Sequence, residues 1–155
     1  MREFEEAFDG LYGVAYRVAY RLTGERAEAE DVAQEALARA YSRWRRVDGY
    51  AEAWVSKVSA NLAVDVWRRA NRPGVGTAPS SRDIGHDTAD RVDLHEALRT
   101  LPRRQREVLV LRYLADLPEQ DVARALGCSA GTVKQHASRG LHTLRGVVAE
   151  RHAHV

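Results

Sequence analysis

Thr132, Lys134, Gln135, His136, Ser138 and Arg139 fall within eight consecutive residues of the stretch LGCSAGTVKQHASRGL, Leu126–Leu141. The chemistry on offer is hydrogen bonding to a nucleic acid rather than bond making. Gln and Arg can grip base edges, while Lys, Ser and Thr suit phosphate oxygens. A second set lies in KVSANLAVDVWRRANR. At helical spacing Lys57, Asn61, Arg68 and Arg72 share a sector of about 60°, with Trp54 and Asp65 at its border. Cations in a row track a phosphate backbone, an aromatic ring stacks on an unpaired base, and Asn reads a base edge. For both sets the plain alternative is a solvated helix face with no ligand.

The elements that must hold these residues are all helical. Phe4, Phe8, Leu11, Tyr12, Ala15, Ala19 and Leu22 form one apolar stripe that ends at Thr23-Gly24. Val32, Ala33, Ala36, Leu37, Ala40, Tyr41 and Trp44 form a second. A third helix is expected from Ala51 to Asn71, stopping before Pro73 and burying Val55, Val58, Leu62 and Val66, with a short extra turn around residues 45–50. Residues 72–90, RPGVGTAPSSRDIGHDTAD, hold two of the four prolines, three glycines and no hydrophobic period. They read as an exposed linker, because structureless loops of this length are uncommon inside compact domains.

After that stretch Leu94, Leu98 and Leu101 restart a helical pattern, and Pro102 suits the first turn of the next helix, which carries Val108, Leu109, Leu111 and Leu114. Glu119–Leu126, a turn over residues 127–130 and a last helix from Gly131 to about Val148 make a helix-turn-helix. Ala123 suits the crossing, Gly127 a turn with positive φ, Ser129 the N-cap, and Val133 the anchor of the second helix. The fold expected is all-α: two small helical domains, 1–72 and 93–155, joined by a flexible linker, 73–92, so that neither needs rigid coupling to the other.

Bulk properties narrow the function. No apolar run approaches the roughly 18 residues that cross a bilayer, and MREFEEAFDG lacks a signal-peptide core, so a cytoplasmic protein without membrane insertion is expected. Cys128 is the one cysteine, which excludes an internal disulfide framework and a Cys-rich metal site; it reads as a small space-filler. His136 has no second ligand at a metal spacing, and His142, His152 and His154 read as solvent-facing, so no metal or other cofactor is expected. No nucleophile–base pair or Gly-rich phosphate loop is present, and no enzymatic activity is expected. Residues 94–155 carry 10 basic against 6 acidic groups, whereas residues 1–48 carry 8 against 10. The basic part suits a polyanion and the acidic part does not.

EAEDVAQEALARAYSRW (Glu28–Trp44) with AWVSKVSANLAVDVWRR (Ala53–Arg69) resembles region 2 of bacterial RNA polymerase sigma factors, in particular the small extracytoplasmic-function (ECF) group. LPRRQREVLVLRYLADLPEQDVARALGCSAGTVKQHASRGLHTL (Leu101–Leu144) resembles their region 4. The resemblance covers nearly the whole chain in the family's order. It implies a transcription initiation factor that brings core polymerase to promoter DNA. Asp31, Gln34 and Glu35 would dock on the β′ clamp helices, and the C-terminal domain on the β flap. Asn61 would hold a flipped-out base of the -10 element, Lys57, Arg68 and Arg69 its backbone and Trp54 the edge of the melted region, with Asp65 orienting them. Thr132, Lys134, Gln135, His136, Ser138 and Arg139 would read the -35 duplex, and Arg103, Arg104 and Arg112 would add phosphate or polymerase contacts. A separate anti-sigma protein is an expected partner. Ala137 and Gly140 depart from the family's usual pattern, and Gly140 implies a less rigid recognition helix. A repressor that binds an operator as a dimer, and a sigma-like protein that blocks initiation, stay open as alternatives.

Overall fold

The computed structural model describes the backbone of residues 3–70, 94 and 96–153 and, within these, all side chains but those of 67–70 and 151–153. The segment expected as a linker lies outside the described residues. The first stripe forms α1 (Phe4–Thr23), which Gly24 ends in the left-handed conformation, its N–H donating to the Tyr20 carbonyl at 2.8 Å. The second forms α2 (Arg26–Ser42). Its buried positions are largely alanines (Ala29, Ala33, Ala36 and Ala40), which let α1 and α2 lie close together. A single turn, α3 (Trp44–Val47), and a 3-10 turn (Asp48–Tyr50) lead into α4 (Ala51–Ala70). Leu11, Ala15, Leu37, Trp44, Val47, Val55 and Val58 share the core of this three-helix unit.

In the second unit, residues 96–100 are helical, and the chain breaks at Leu101-Pro102 before α5 (Arg103–Leu109). α5 then widens into a π turn over Val110–Leu114, where the Ala115 N–H reaches back five residues to the Val110 carbonyl at 3.0 Å. Arg112 donates to the Leu117 carbonyl at 2.6 Å and closes the loop after this turn, in which Asp116 has φ +52°. α6 (Glu119–Leu126) and α7 (Ala130–Ala153) complete the helix-turn-helix. α7 runs past the expected Val148; Val148 is exposed, so the apolar period fades before the helix does.

The two units do not stand apart. Ala53 of α4 is buried among Val108, Leu111, Leu117, Val122 and Leu126 of the second unit. Ala60 and Ala63, with Val18 and Leu22 of α1, are buried with Leu98, Leu101, Leu109 and Val110. Arg21 donates to the Leu114 carbonyl, and the Arg124 guanidinium sits 5.8 Å from the centre of the Tyr50 ring. The relative placement of the two domains, neither of which was expected to need rigid coupling, was not legible in the sequence, and nor was this seam. Its cause is a run of small residues on α4 (Ala53, Ala60 and Ala63), which reads from sequence as the weakly apolar side of a helix.

Candidate nucleic-acid interface

The start of α7 is built as the spacing predicts. Gly127 takes φ +67°, and the Cys128 N–H donates to the Ala123 carbonyl at 3.0 Å. Ser129 Oγ accepts the Thr132 N–H at 3.1 Å, which caps the helix. Val133 is fully buried against α6 and anchors the pair. From this frame Lys134, Gln135, Ser138 and Arg139 project into solvent on adjoining turns. Two of the six expected readers are placed differently. The Thr132 hydroxyl lies 3.0 Å from Ser129 Oγ and is engaged in the cap, and His136 is half-buried with its Nδ1 enclosed. Lys134 Nζ reaches the half-buried Glu119 Oε2 at 3.8 Å, a long pair that a phosphate can displace at little cost.

Gly140 is not slack in the helix. It is buried, and a Cβ there would stand 3.0 Å from Leu109 Cδ1 and 3.2 Å from its Cγ. The glycine lets α7 press its backbone onto α5, a packing role that offsets its poor helix propensity.

On α4 the picture is mixed. Val55 and Val58 face α1 and α2 as expected, and Leu62 is half-buried on that side. Trp54 packs against the same core, so much of its ring is already in use. Lys57 and Asn61 are half-buried, not free. Asn61 Oδ1 is enclosed and has no hydrogen-bond partner among the described residues. Asp65 is exposed. The side chains of Arg68 and Arg69, and all of Arg72, lie outside the described residues.

Burial pushes the Lys57 ammonium below its ordinary pKa; Glu107 opposes the shift, and Arg104 and Arg103 add to it. A lysine whose pKa falls on folding is strained while charged, so the stability it removes returns as pH climbs from neutral toward 10.5. Lys57→Met should therefore raise the melting temperature slightly at pH 7, by about 1–2 °C, even while weakening nucleic-acid binding. Thermal melts at pH 7 and pH 10 check this: the gain should shrink at the higher pH.

Glu107 was not singled out from sequence. It is 2% exposed, with Arg103 Nε at 2.9 Å and Arg104 Nη1 at 3.6 Å. Its spacing to these arginines was legible, but its burial was not. Arg103, Arg104 and Arg112 are thus engaged within the second unit before any phosphate contact.

The third surface is the outer face of α2. Asp31, Gln34 and Glu35 are exposed together, Glu35 taking a 2.9 Å ion pair from Arg39. Tyr41, 63% exposed, continues that face and meets Phe4 edge-on at 5.2 Å. Just beyond, Arg43, Arg45 and Arg46 line an open concavity of about 870 Å³ with Tyr41 and Trp44. The charge balance of residues 1–48 averaged this basic corner away. Among the described residues no three His, Cys, Asp or Glu side chains are placed to hold a metal ion, and no helix is long and apolar enough to cross a membrane.

Comparison with known proteins decides the family. Residues 8–73 match sigma-70 region 2, and residues 91–144 match sigma-70 region 4. The chain belongs to the ECF group of RNA polymerase sigma factors. It is 36% identical over 155 aligned residues to the RNA polymerase sigma-E factor of Streptomyces coelicolor, covering 96% of this chain and 88% of the relative. It is 32% identical over 154 residues to the ECF RNA polymerase sigma factor SigL of Mycobacterium tuberculosis, covering 92% and 87%. Its fold is similar to that of CnrH in complex with the cytosolic domain of CnrY, with TM-score 0.62, 22% identity and coverage of 94% and 90%. It is similar also to the sigma factor RpoE of Bartonella quintana in complex with the anti-sigma factor NepR, with TM-score 0.57, 19% identity and coverage of 96% and 98%. As a sigma factor the protein directs RNA polymerase to promoters, and α1–α4 and α5–α7 are its regions 2 and 4.

Proposed function

We propose that this sigma factor reads its promoters in two different forms of DNA. Region 4 reads the -35 element as duplex through Lys134, Gln135, Ser138 and Arg139, with Thr132 holding the helix start and His136 beside them. Region 2 captures the -10 element as a melted strand, Asn61 on a base and Lys57, Arg68 and Arg69 along the phosphates, with Trp54 at the edge. The observation that carries this reading is the contrast between the two faces. Four polar side chains on α7 are exposed to solvent, as a major-groove helix requires, whereas α4 offers one enclosed amide oxygen beside a lysine.

Asp31, Gln34 and Glu35 dock on the β′ clamp helices of core polymerase and region 4 meets the β flap, which leaves the protein itself without chemistry to perform. A cytoplasmic site of action follows from these partners. The sigma factor RpoE of Bartonella quintana was solved in complex with the anti-sigma factor NepR, which favours a separate anti-sigma partner here too. Run-off transcription with core polymerase on candidate promoters, the chain's own included, tests the reading; no transcript and no retention of the chain on immobilised core would sink it. For Arg139→Ala, we expect -35 duplex binding weaker by about 1–3 kcal/mol, the worth of a bidentate base contact. Activity on a premelted template that lacks the -35 element should be unchanged; an equal loss there would place Arg139 elsewhere.

A further inference from the structure

The arginines at the end of α2 differ from those along it. Arg26 and Arg39 are held by Glu30 and Glu35 one turn away, at 3.0 and 2.9 Å. Arg43, which ends α2, and Arg45 and Arg46 in α3 are exposed, and none of the three guanidinium groups has an ion pair or hydrogen bond among the described residues. The carbonyl end of α2 favours positive charge and accounts for one cation. Three within four residues repel one another, and a polyanion relieves that cost. They line the open concavity of about 870 Å³ with Tyr41, and Glu3 is the one acidic side chain on its wall among the described residues.

Tyr41 supplies the second element of a strand site. Its ring is 63% exposed, although Phe4 meets it edge-on, whereas Trp54 packs against the core of region 2 and Trp44 is buried in it. Of these three rings, Tyr41 and not Trp54 is the one open to a base. The corner is also continuous with the proposed -10 face. Arg46 is followed by Val47, buried in the core against which Tyr50 and Trp54 pack, and the 3-10 turn leads from there straight into α4. Exposed cations and an exposed ring in an open trough suit a flexible chain of phosphates and bases, whereas a small molecule needs enclosure.

We propose that the melted strand does not end at Trp54 but runs on across this corner, with Arg43, Arg45 and Arg46 on its phosphates and one base stacked on Tyr41. The contact is blind to sequence, because guanidinium groups meet the backbone and every base has a stacking face. It holds the strand open beside the -10 element whatever the bases there. The inference rests on the -10 assignment given above.

The experiment uses holoenzyme, core polymerase with the full chain, on forked templates from a promoter that yields a run-off transcript. One fork carries the unpaired -10 strand alone. Two others extend that strand by about ten unpaired nucleotides, at one end or at the other. Extension at one end should tighten parental binding. On that fork the triple variant Arg43→Ala, Arg45→Ala, Arg46→Ala should bind about tenfold more weakly than the parent, and its salt slope should fall by about 2, from three single-strand phosphates at about 0.7 each. It should match the parent on the short fork and in retention on immobilised core. The triple variant Arg43→Lys, Arg45→Lys, Arg46→Lys should keep most of the gain, since a phosphate accepts a point charge. Tyr41→Phe should keep it, and Tyr41→Ser should lose about fivefold on the extended fork. No parental gain at either end, an equal gain in the alanine variant, an equal loss on all forks, or lysine as damaging as alanine would each overturn the proposal. Tyr41→Ser without loss would overturn the stacked base, and lost core retention in the alanine variant would assign the corner to polymerase instead. Asn61→Ala with undiminished binding to the short fork would sink the -10 assignment, while the alanine variant on the extended fork would still decide the corner.

Discussion

Replacing Asn61 with alanine should cut open-complex formation by about ten- to a hundredfold, while binding to core polymerase stays at the parental level. The magnitude is that of one hydrogen-bonded or stacked base in a single-strand site, about 1–3 kcal/mol. The separation of the two readouts follows from position. Asn61 is half-buried on α4, whereas Asp31, Gln34 and Glu35 stand exposed on the outer face of α2. The substitution is also mild for the fold, because it removes an enclosed oxygen that no described residue satisfies. Permanganate footprinting of the melted region and retention on immobilised core read the two effects separately. If core retention fell as far as melting, the assignment of separate surfaces would be wrong.

Gly140→Val should lower stability by about 2 kcal/mol, a fall in melting temperature of about 4–8 °C. Two effects oppose each other here. Removing a glycine from a helix interior gains up to about 1 kcal/mol of propensity with alanine, and less with a β-branched residue. Against that, the first added carbon already meets Leu109 at 3.0 and 3.2 Å, and Leu109 is itself buried among Leu98, Leu101 and Val110. Valine adds two further carbons to a space that alanine already crowds, so overpacking wins. The damage should extend to -35 binding, since a displaced α7 carries Gln135 and Arg139 with it. A melt at or above the parental temperature would show that α5 and α7 part at little cost.

Much of this protein was legible before its structure. The helices start and stop at residues whose backbone preferences are local: Gly24 and Gly127 adopt the positive φ that ends α1 and α6, and Ser129 caps α7. The apolar stripes with period near 3.6 named the buried Leu11, Leu37, Val55 and Val133. The exposed quartet on α7 followed from the same periodicity, because a residue opposite an apolar stripe on a two-helix hairpin has nowhere else to point.

What stayed hidden concerns contacts between elements distant in sequence. His136 shares a sequence window with Lys134 and Arg139, yet it is turned partly inward with its Nδ1 enclosed. The role of Gly140 could not be read from α7 alone, since its reason is a leucine on α5.

The sequence by itself determined the helical class, the cap and turn chemistry, the exposed quartet on α7 and the family, because each depends on interactions within a few residues or on a pattern held along the chain. Only the tertiary structure decided that α4 has two buried sides. Alanines at Ala53, Ala60 and Ala63 carry little hydrophobic signal, but their small size lets a second unit approach and bury them against Leu109, Leu111 and Val122. Whether a small residue is a bare surface or a close contact depends on what packs against it, and no local rule supplies the neighbour.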